Sequence, residues 1–306
     1  MWNILLHVYS IMFLPLVFVF GLIRGGKTRW EWWSALLVTL SVTLWAFVIG
    51  RWDMAGYWFR FLLPLLFVVA LIAGRRRMSR QGRAVPRGTA LNLTVGVNLA
   101  VAVVFSVLSA LGLAGLAANE PAVHLEFPLR EGIYYVGQGG STVMVNYHAA
   151  YSPQRYALDI VRLNSWGYRA SGLYPAELDR YVIFGDPLYS PCTGEVVAAR
   201  DGLPDHEPPL HDPERAEGNY VTIRCAGVDV VMAHLREGTL RVRQGDVVAV
   251  GQLIGEVGNS GNTSEPHLHI HAERLIERPD GGVERVGVPI RFDGKFLARN
   301  TIVRSR

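Results

Sequence analysis

Cysteine is scarce in this chain: Cys192 and Cys225 are its only two cysteines among 306 residues. They stand outside any CxxC spacing, which disfavours a metal site made of paired thiolates. In an oxidising compartment they would form one disulfide between neighbouring strands, although two buried free thiols fit the same sequence. The disulfide is modestly favoured, and both alternatives stay open.

The amino terminus lacks the marks of a cleaved signal peptide. No basic residue precedes its apolar run, and no small-residue cleavage site ends it. Positive charge follows the run instead, at Arg24, Lys27 and Arg29. This arrangement favours a first membrane helix over a cleaved leader.

Charged side chains are also nearly absent from the centres of four long apolar stretches in the first 118 residues. Each stretch approaches the ~20 apolar residues that cross a bilayer as an α-helix. The lack of intramembrane charge favours an anchor over a transporter or sensor with a wall-binding outer module. The sequence thus predicts a membrane domain over residues 1–118 with four spanning helices, at residues 1–23, 33–50, 57–74 and 89–118.

Arginine is concentrated in the loops after the first and third stretches. Such an excess marks cytoplasmic loops, and these loops lie an even number of crossings apart, so both can face the cytoplasm. The predicted topology is a multi-pass protein of the cell membrane whose residues after about 119 lie on the extracytoplasmic side. The stronger cluster consists of Arg75, Arg76, Arg77, Arg80, Arg83 and Arg87.

This arginine asymmetry accounts for most of the pI near 9.2. A cluster confined between two spanning helices offers little surface to a duplex, so a nucleic-acid partner is disfavoured. Anionic lipid headgroups fit the same loops and the same topology. We therefore expect membrane lipid as a partner, and no nucleic acid.

Residues 119–306 differ in pattern from the apolar stretches before them. Short β-type segments such as EVVAA, YVTIRC, DVVMAHL and VVAV alternate with glycine-containing turns. The pattern predicts a compact antiparallel all-β domain with its core at about 140–275. Within it, residues 162–185 are less regular, and they either gate access to a groove or form a plain surface connection.

The stretch GQLIGEVGNSGNTSEPHLHIHAE, at residues 251–273, sets three histidines two positions apart. Side chains alternate between the faces of a strand, so His267, His269 and His271 point the same way. Neutral imidazoles that converge on one face suit a zinc ion, and a carboxylate with an open position completes a hydrolytic site. Further candidate ligands lie upstream, in VVMAHL and VNYHAAYSPQRYALDIV: His234, His148 and Asp159.

From about residue 185 to 273 the chain resembles the lysostaphin or LytM type of zinc metallopeptidase. The resemblance rests on GDPLYSPCTGEVVAARDG, GNYVTIRC, VVMAHL and LRVRQGDVVAVGQLIGEVGNSGNTSEPHLHIHAE. It implies the duplicated hybrid motif fold, a flattened β-barrel with an open groove. It also implies a zinc-dependent peptidase that cuts a cross-link or stem peptide of peptidoglycan, here beside the membrane.

Carried over to this sequence, the resemblance implies a division of labour among five residues. His148, Asp159 and His269 would bind zinc, while His234 and His267 would be catalytic groups outside the metal's ligands. Imidazoles titrate near neutral pH, so one can accept a proton from water while the other donates a hydrogen bond. The sequence does not decide which histidine does which. His271, on the same strand face, is expected to support a ligand or line the groove.

The spacing of the first two ligands departs from the resemblance. Many members hold them close together on one short segment, whereas eleven positions separate His148 from Asp159. A turn at Ser152 and Pro153 between paired strands would bring the two together. Asn146 is the alternative first ligand on the same strand face, although an amide oxygen is a weaker zinc ligand than an imidazole.

A non-catalytic function is the alternative to the enzyme. Some members of the family lose ligands and serve as wall-binding scaffolds or activators of other cell-wall hydrolases. Every expected ligand position is filled here, which favours the metallopeptidase. A regulatory membrane partner is compatible with either function.

Overall fold

The computed structural model of the chain describes residues 2–80 and 89–306. It divides into two compact units. The first comprises Met1–Trp52 and Gly56–Leu113, and the second comprises Asp53–Ala55 and Ala114–Arg306. The predicted helices fall in the first unit and the predicted strands in the second.

Four α-helices account for the described part of the first unit: α1 (Trp2–Arg24), α2 (Arg29–Ile49), α3 (Leu62–Arg80) and α4 (Thr89–Ala114). Three apolar helical stretches among the described residues are long enough to cross a membrane, and they are Arg29–Ile49, Tyr57–Arg80 and Leu93–Ala114. The predicted span at residues 1–23 is matched there by a shorter apolar helix, Ile11–Arg24. Of the predicted arginine cluster, Arg83 and Arg87 lie outside the described residues.

Small and capping residues fix the ends and contacts of these helices. Thr28 begins α2, and its hydroxyl accepts a hydrogen bond from the backbone N–H of Glu31 at 3.2 Å. Gly74 brings α3 close to α1, because a Cβ at that position would lie 2.4 Å from the carbonyl oxygen of Leu22. Apolar contacts between Val19, Leu22 and Ala70 fill the interface.

The second unit is built from short strands, as the alternation of apolar segments and turns predicts. In chain order they are β1 (Val123–Leu125), β2 (Gly132–Gln138), β3 (Leu158–Leu163), β4 (Pro187–Tyr189), β5 (Gly194–Arg200), β6 (Asn219–Cys225), β7 (Val228–Leu235), β8 (Val247–Val248), β9 (Leu253–Glu256), β10 (Leu268–Glu277), β11 (Val283–Val288), β12 (Ile290–Phe292), β13 (Lys295–Phe296) and β14 (Ile302–Ser305).

Nine of these strands form one sheet in the order β14-β2-β3-β10-β7-β6-β5-β8, with β11 also paired to β10. The sheet is antiparallel throughout, and β1 with β12 is a parallel pair outside it. The predicted antiparallel all-β class is thereby confirmed. β10 occupies the middle of the sheet, where it pairs with both β3 and β7.

The two faces of β10 have opposite characters. Leu268, Ile270 and Ala272 point into the apolar core, where each is at most 1% exposed. The residues between them therefore emerge on the other face of the sheet. This alternation aims the histidine side chains away from the core and towards the neighbouring strands.

Cys192 and Cys225 form a disulfide with a Cα–Cα distance of 6.0 Å, which resolves the alternatives that the sequence leaves open. Cys225 ends β6, and Cys192 lies in the turn that precedes β5. The bond joins residues 33 positions apart. It therefore restricts the unfolded chain across the turn, the β5 strand and the β6 strand.

We predict that the double variant Cys192→Ala/Cys225→Ala lowers the free energy of unfolding of the second unit. Closing a loop of this length contributes about 3–4 kcal/mol in the chain-entropy account. Chemical denaturation of the wild type and the variant measures the difference. A reductant should weaken the wild type by a similar amount and leave the variant unchanged, whereas equal stability of the two proteins would contradict the prediction.

Candidate metal centre

Three adjacent strands bring the predicted site residues together. His269 on β10 stands opposite Asp159 on β3, and on its other side it stands opposite Ala233 on β7. His234 follows Ala233 near the end of β7. All of these residues are buried, with exposed fractions of 8% or less.

His148, Asp159 and His269 offer one ligand atom each within 4.8 Å of one another. The carboxylate oxygen Oδ1 of Asp159 lies 3.0 Å from His148 Nε2 and 3.0 Å from His269 Nδ1. Two imidazoles and one carboxylate form a donor set that catalytic zinc takes, with a fourth position left for water or substrate. The residues therefore fit a zinc ion in chemistry and in spacing.

A second group with the same spacing consists of His234, His267 and His269. It contains no carboxylate, and it shares His269 with the first group. Backbone carbonyls engage one nitrogen in each of its other two rings: Ser260 O lies 2.9 Å from His234 Nδ1, and Glu265 O lies 2.8 Å from His267 Nδ1. The Nε2 atoms of these rings are left to face the first group.

His148 contacts Asp159, but it does not lie on a strand paired with that of Asp159, although the sequence predicts that it does. It lies in a 3-10 turn, Tyr147–Ala150, and a second such turn follows at Ser152–Gln154. The strands that pair with β3 are β2, which ends before this segment, and β10, which lies far beyond it in the chain. The predicted proximity of the two residues is correct, whereas the predicted hairpin between them is wrong.

Asn146, the alternative first ligand, explains this local fold. Its side-chain oxygen accepts a hydrogen bond from the N–H of His148 at 3.2 Å, which caps the 3-10 turn. Its amide nitrogen donates to three backbone carbonyls, those of Gly140, Arg155 and Ala157. Asn146 is fully buried and uses its polar atoms on the backbone, and His148 is the residue that contacts Asp159.

His234 has an unusual backbone. Its φ of 62° lies in the left-handed region, which costs energy for a residue other than glycine. Its N–H donates to Glu217 O, and its carbonyl accepts from Gly258 N–H, so the backbone is held from both sides. The ring consequently lies beside that of His267, with a centroid separation of 4.9 Å.

For Asp159 and His267, burial shifts the pKa in one direction and the charge of the neighbouring groups shifts it in the other. Burial raises the pKa of Asp159, but the neighbouring His148 and His267 outweigh it and hold that pKa well below its usual range. Burial lowers the pKa of His267, and the charge of Asp159 more than reverses the effect, so this pKa is raised. Burial, together with His267 and His269, lowers the pKa of His234 well below its usual range.

His271 supports His269 from the side away from Asp159. Its Nδ1 lies 3.0 Å from Nε2 of His269, so the two rings share a hydrogen bond. Burial, reinforced by the nearby His269, lowers the pKa of His271 well below its usual range and keeps it neutral. A neutral ring accepts the Nε2–H of His269 and leaves Nδ1 of that residue as the free ligand atom.

Sequence reasoning missed three residues around the histidines. The ring centroids of Tyr147 and His148 lie 4.0 Å apart, and the Tyr147 hydroxyl lies 3.5 Å from Asp159 Oδ2. Its position next to His148 is a signal that pattern reading could have used. Glu265 contacts His267 through its carbonyl, and the buried Arg169 contacts the Glu265 carboxylate. No signal pairs these two, because 96 positions separate them.

Comparison with known proteins identifies part of the chain. Residues 179–280 match Peptidase family M23, which confirms the predicted resemblance to LytM-type peptidases and indicates a peptidase-type function for this domain. Most strands of the nine-stranded sheet, and the residues His234, His267 and His269, lie in the matched range. No curated protein matches the chain.

Solved structures of peptidases are similar to part of this chain. The structure of lysostaphin in solution is 19% identical over 40% of this chain and 38% of that one, with a TM-score of 0.26. A zinc containing peptidase from Vibrio cholerae is 21% identical over 38% and 46%, with a TM-score of 0.24. The catalytic domain of lysostaphin from Staphylococcus simulans is 20% identical over 45% and 77%, with a TM-score of 0.27. The chain thus covers less than half of the first two proteins.

We predict that Gly218→Ala disturbs the support of His234. Gly218 has φ +62°, and a Cβ there would lie 2.3 Å from the carbonyl oxygen of Ser260, which is the partner of the His234 ring. Gly227→Ala is the matched control, because Gly227 has φ +82° and no atom within 4 Å of its Cβ position. Overpacking adds about 1–3 kcal/mol. Chemical denaturation should find that much extra loss of stability in Gly218→Ala, and equal losses would refute the clash.

Proposed function

With residues 179–280 as a peptidase family M23 domain, we propose that the chain is a membrane-anchored zinc-dependent endopeptidase that hydrolyses peptide bonds of peptidoglycan. The observation that carries the proposal is the buried group of His148, Asp159 and His269, with His234 and His267 beside it. A structural role alone does not account for five such side chains in one place, because burying them without a function is costly.

We assign the zinc ion to His148, Asp159 and His269. Zinc held by this donor set supplies Lewis acidity, which polarises a scissile carbonyl and makes water more acidic. Asp159 contributes a negative charge that stays ionised because its pKa is held well below the usual range. The hydrogen bond between His269 and His271 fixes the ring of His269, so its Nδ1 faces Asp159.

The remaining two histidines would move the protons. His234 has a lowered pKa, and its Nδ1 is held by the Ser260 carbonyl, so its Nε2 carries a free lone pair. It is suited to accept a proton from the attacking water. His267 has a raised pKa and more readily carries protons on both nitrogens, so it is suited to donate a hydrogen bond to the developing oxyanion.

The helices of the first unit and the disulfide of the second support the proposed membrane anchoring and sidedness. The apolar stretches Arg29–Ile49, Tyr57–Arg80 and Leu93–Ala114 would be the spanning helices, with Ile11–Arg24 as part of a further one. Arginines in the last turns of α1 and α3 favour a cytoplasmic position for both of these helix ends. The disulfide of the second unit supports the opposite, oxidising side for the peptidase. Peptidoglycan is the peptide-containing substrate fixed on that side.

We predict that the full-length protein in detergent, supplied with zinc, releases soluble peptide-containing fragments from purified peptidoglycan. Mass spectrometry of the fragments would identify the bond that is cut. A sample treated with a chelator is the control and should release none. If the protein binds zinc and leaves several wall chemistries intact, the hydrolase is overturned in favour of a wall-binding scaffold or activator.

We further predict that substitution of a zinc ligand and substitution of the general base have different effects. His269→Ala should lose both zinc and hydrolysis, because it removes a ligand. His234→Ala should keep zinc while its hydrolysis falls by about 10²–10⁴-fold, as for loss of a general base. His211→Ala, in an exposed loop, is the control and should change neither. Metal analysis beside fragment release measures both effects, and full activity of His269→Ala would remove that residue from the site.

A further inference from the structure

The irregular segment after β3 forms an ordered excursion at residues 164–184. Its base is closed where Ala170 pairs with Tyr181. The Ser171 N–H donates to Arg180 O, and the Val182 N–H donates to Arg169 O, each at 2.9 Å. Arg169 therefore stands at the closed base of the excursion and not in its loop.

Arg169 is buried, and only 2% of its surface is exposed. Its Nε and Nη2 both lie 2.7 Å from Oε2 of Glu265, which is itself 5% exposed. Nη2 also donates to Leu173 O at 3.0 Å. The carboxylate of Asp53, which belongs to the same unit, lies 3.7 Å from Nε. A guanidinium enclosed in this way holds its carboxylate partner in one orientation.

Glu265 is two positions from His267, and its backbone contacts that ring directly. The Glu265 carbonyl accepts from His267 Nδ1 at 2.8 Å and from the Thr263 hydroxyl at 2.9 Å. The Tyr174 hydroxyl of the excursion donates to the adjacent Ser264 carbonyl. The excursion thus contacts the two residues that precede Pro266. Arg169 forms a buried ion pair with Glu265, and Tyr174 donates a hydrogen bond to Ser264.

We propose that Arg169 is a positioning residue for His267. The guanidinium fixes Glu265, the carbonyl of Glu265 holds Nδ1–H of the imidazole, and Nε2 is thereby directed at Asp159, 3.5 Å away. The excursion is then neither a mobile gate nor a plain connection, because its base sets the orientation of a catalytic ring. The catalytic consequence rests on the proposed function, whereas the orientation of the ring does not.

The test is nuclear magnetic resonance of the full-length protein in detergent, with histidine labelled by ¹⁵N and zinc supplied. In the wild type the Nδ1–H of His267 should exchange slowly with water, because a buried carbonyl holds it. Arg169→Met should speed this exchange by about tenfold or more. It should also lower kcat by about tenfold to hundredfold with KM nearly unchanged, as for a misplaced catalytic group. Zinc content should stay at the wild-type level.

Arg180→Met is the matched control, because it removes an arginine from the same excursion. Arg180 pairs with Glu177 at 3.6 Å on the surface, where their side chains are 50% and 60% exposed, so ring exchange and kcat should not change. An Arg169→Met protein that folds and keeps the wild-type exchange of His267 would overturn the proposal.

If Arg169→Met does not fold, the variant Glu265→Gln tests the proposal in its place. The amide keeps the size of the side chain and leaves the guanidinium beside Asp53, but it replaces a charge-assisted hydrogen bond with a weaker neutral one. Intermediate acceleration of exchange is expected, and an unchanged rate would overturn the proposal. A wild type that binds no zinc and cuts no peptidoglycan would refute the proposed function, while the exchange rates would still decide the role of Arg169.

Discussion

The alternation of side chains along β10 is the constraint on which the rest of the second unit depends. One face of the strand supplies Leu268, Ile270 and Ala272 to the core, and the other presents His269 and His271. The strand lies in the middle of the sheet, so His269 has paired strands on both sides. A shift of one residue in the pairing would exchange the two faces, burying imidazoles in the core and exposing leucine and isoleucine. The site and the core are therefore fixed by the same register.

A single buried carboxylate organises the charges that surround this strand. Asp159 contacts His148 and His269 at 3.0 Å and faces His267 at 3.5 Å, so three rings compete for one negative charge. Burial lowers the pKa of His234, and the repulsion of His267 and His269 lowers it further. For His267 the charge of Asp159 outweighs the effect of burial, whereas for His234 it does not, so these two histidines acquire opposite shifts in pKa.

The sequence allows correct prediction of the parts of the site that obey short-range rules. Residues two apart in any strand share a face, as His269 and His271 do in β10, and the apolar run before His234 marks its β7 strand. The environment of His148 was not predictable in detail, because the amide of Asn146 donates hydrogen bonds to three backbone carbonyls from separate parts of the chain. The contact of Arg169 with Glu265 depends on the complete fold of the second unit, and local patterns do not encode it. The cysteine pairing likewise required the positions of β5 and β6.

The left-handed backbone conformation of His234 lowers the stability of the fold, while it holds the ring beside His267. At a φ of 62° the conformational energy of the backbone is lowest for glycine, and it is lower for asparagine than for histidine. Substitutions selected for thermal stability alone would therefore tend to remove this side chain while they relax the end of β7. Under the proposed function, directed evolution of the domain for heat resistance would remove the proposed proton-transfer group before the proposed metal ligands, and it would yield stable proteins that bind zinc but turn over slowly.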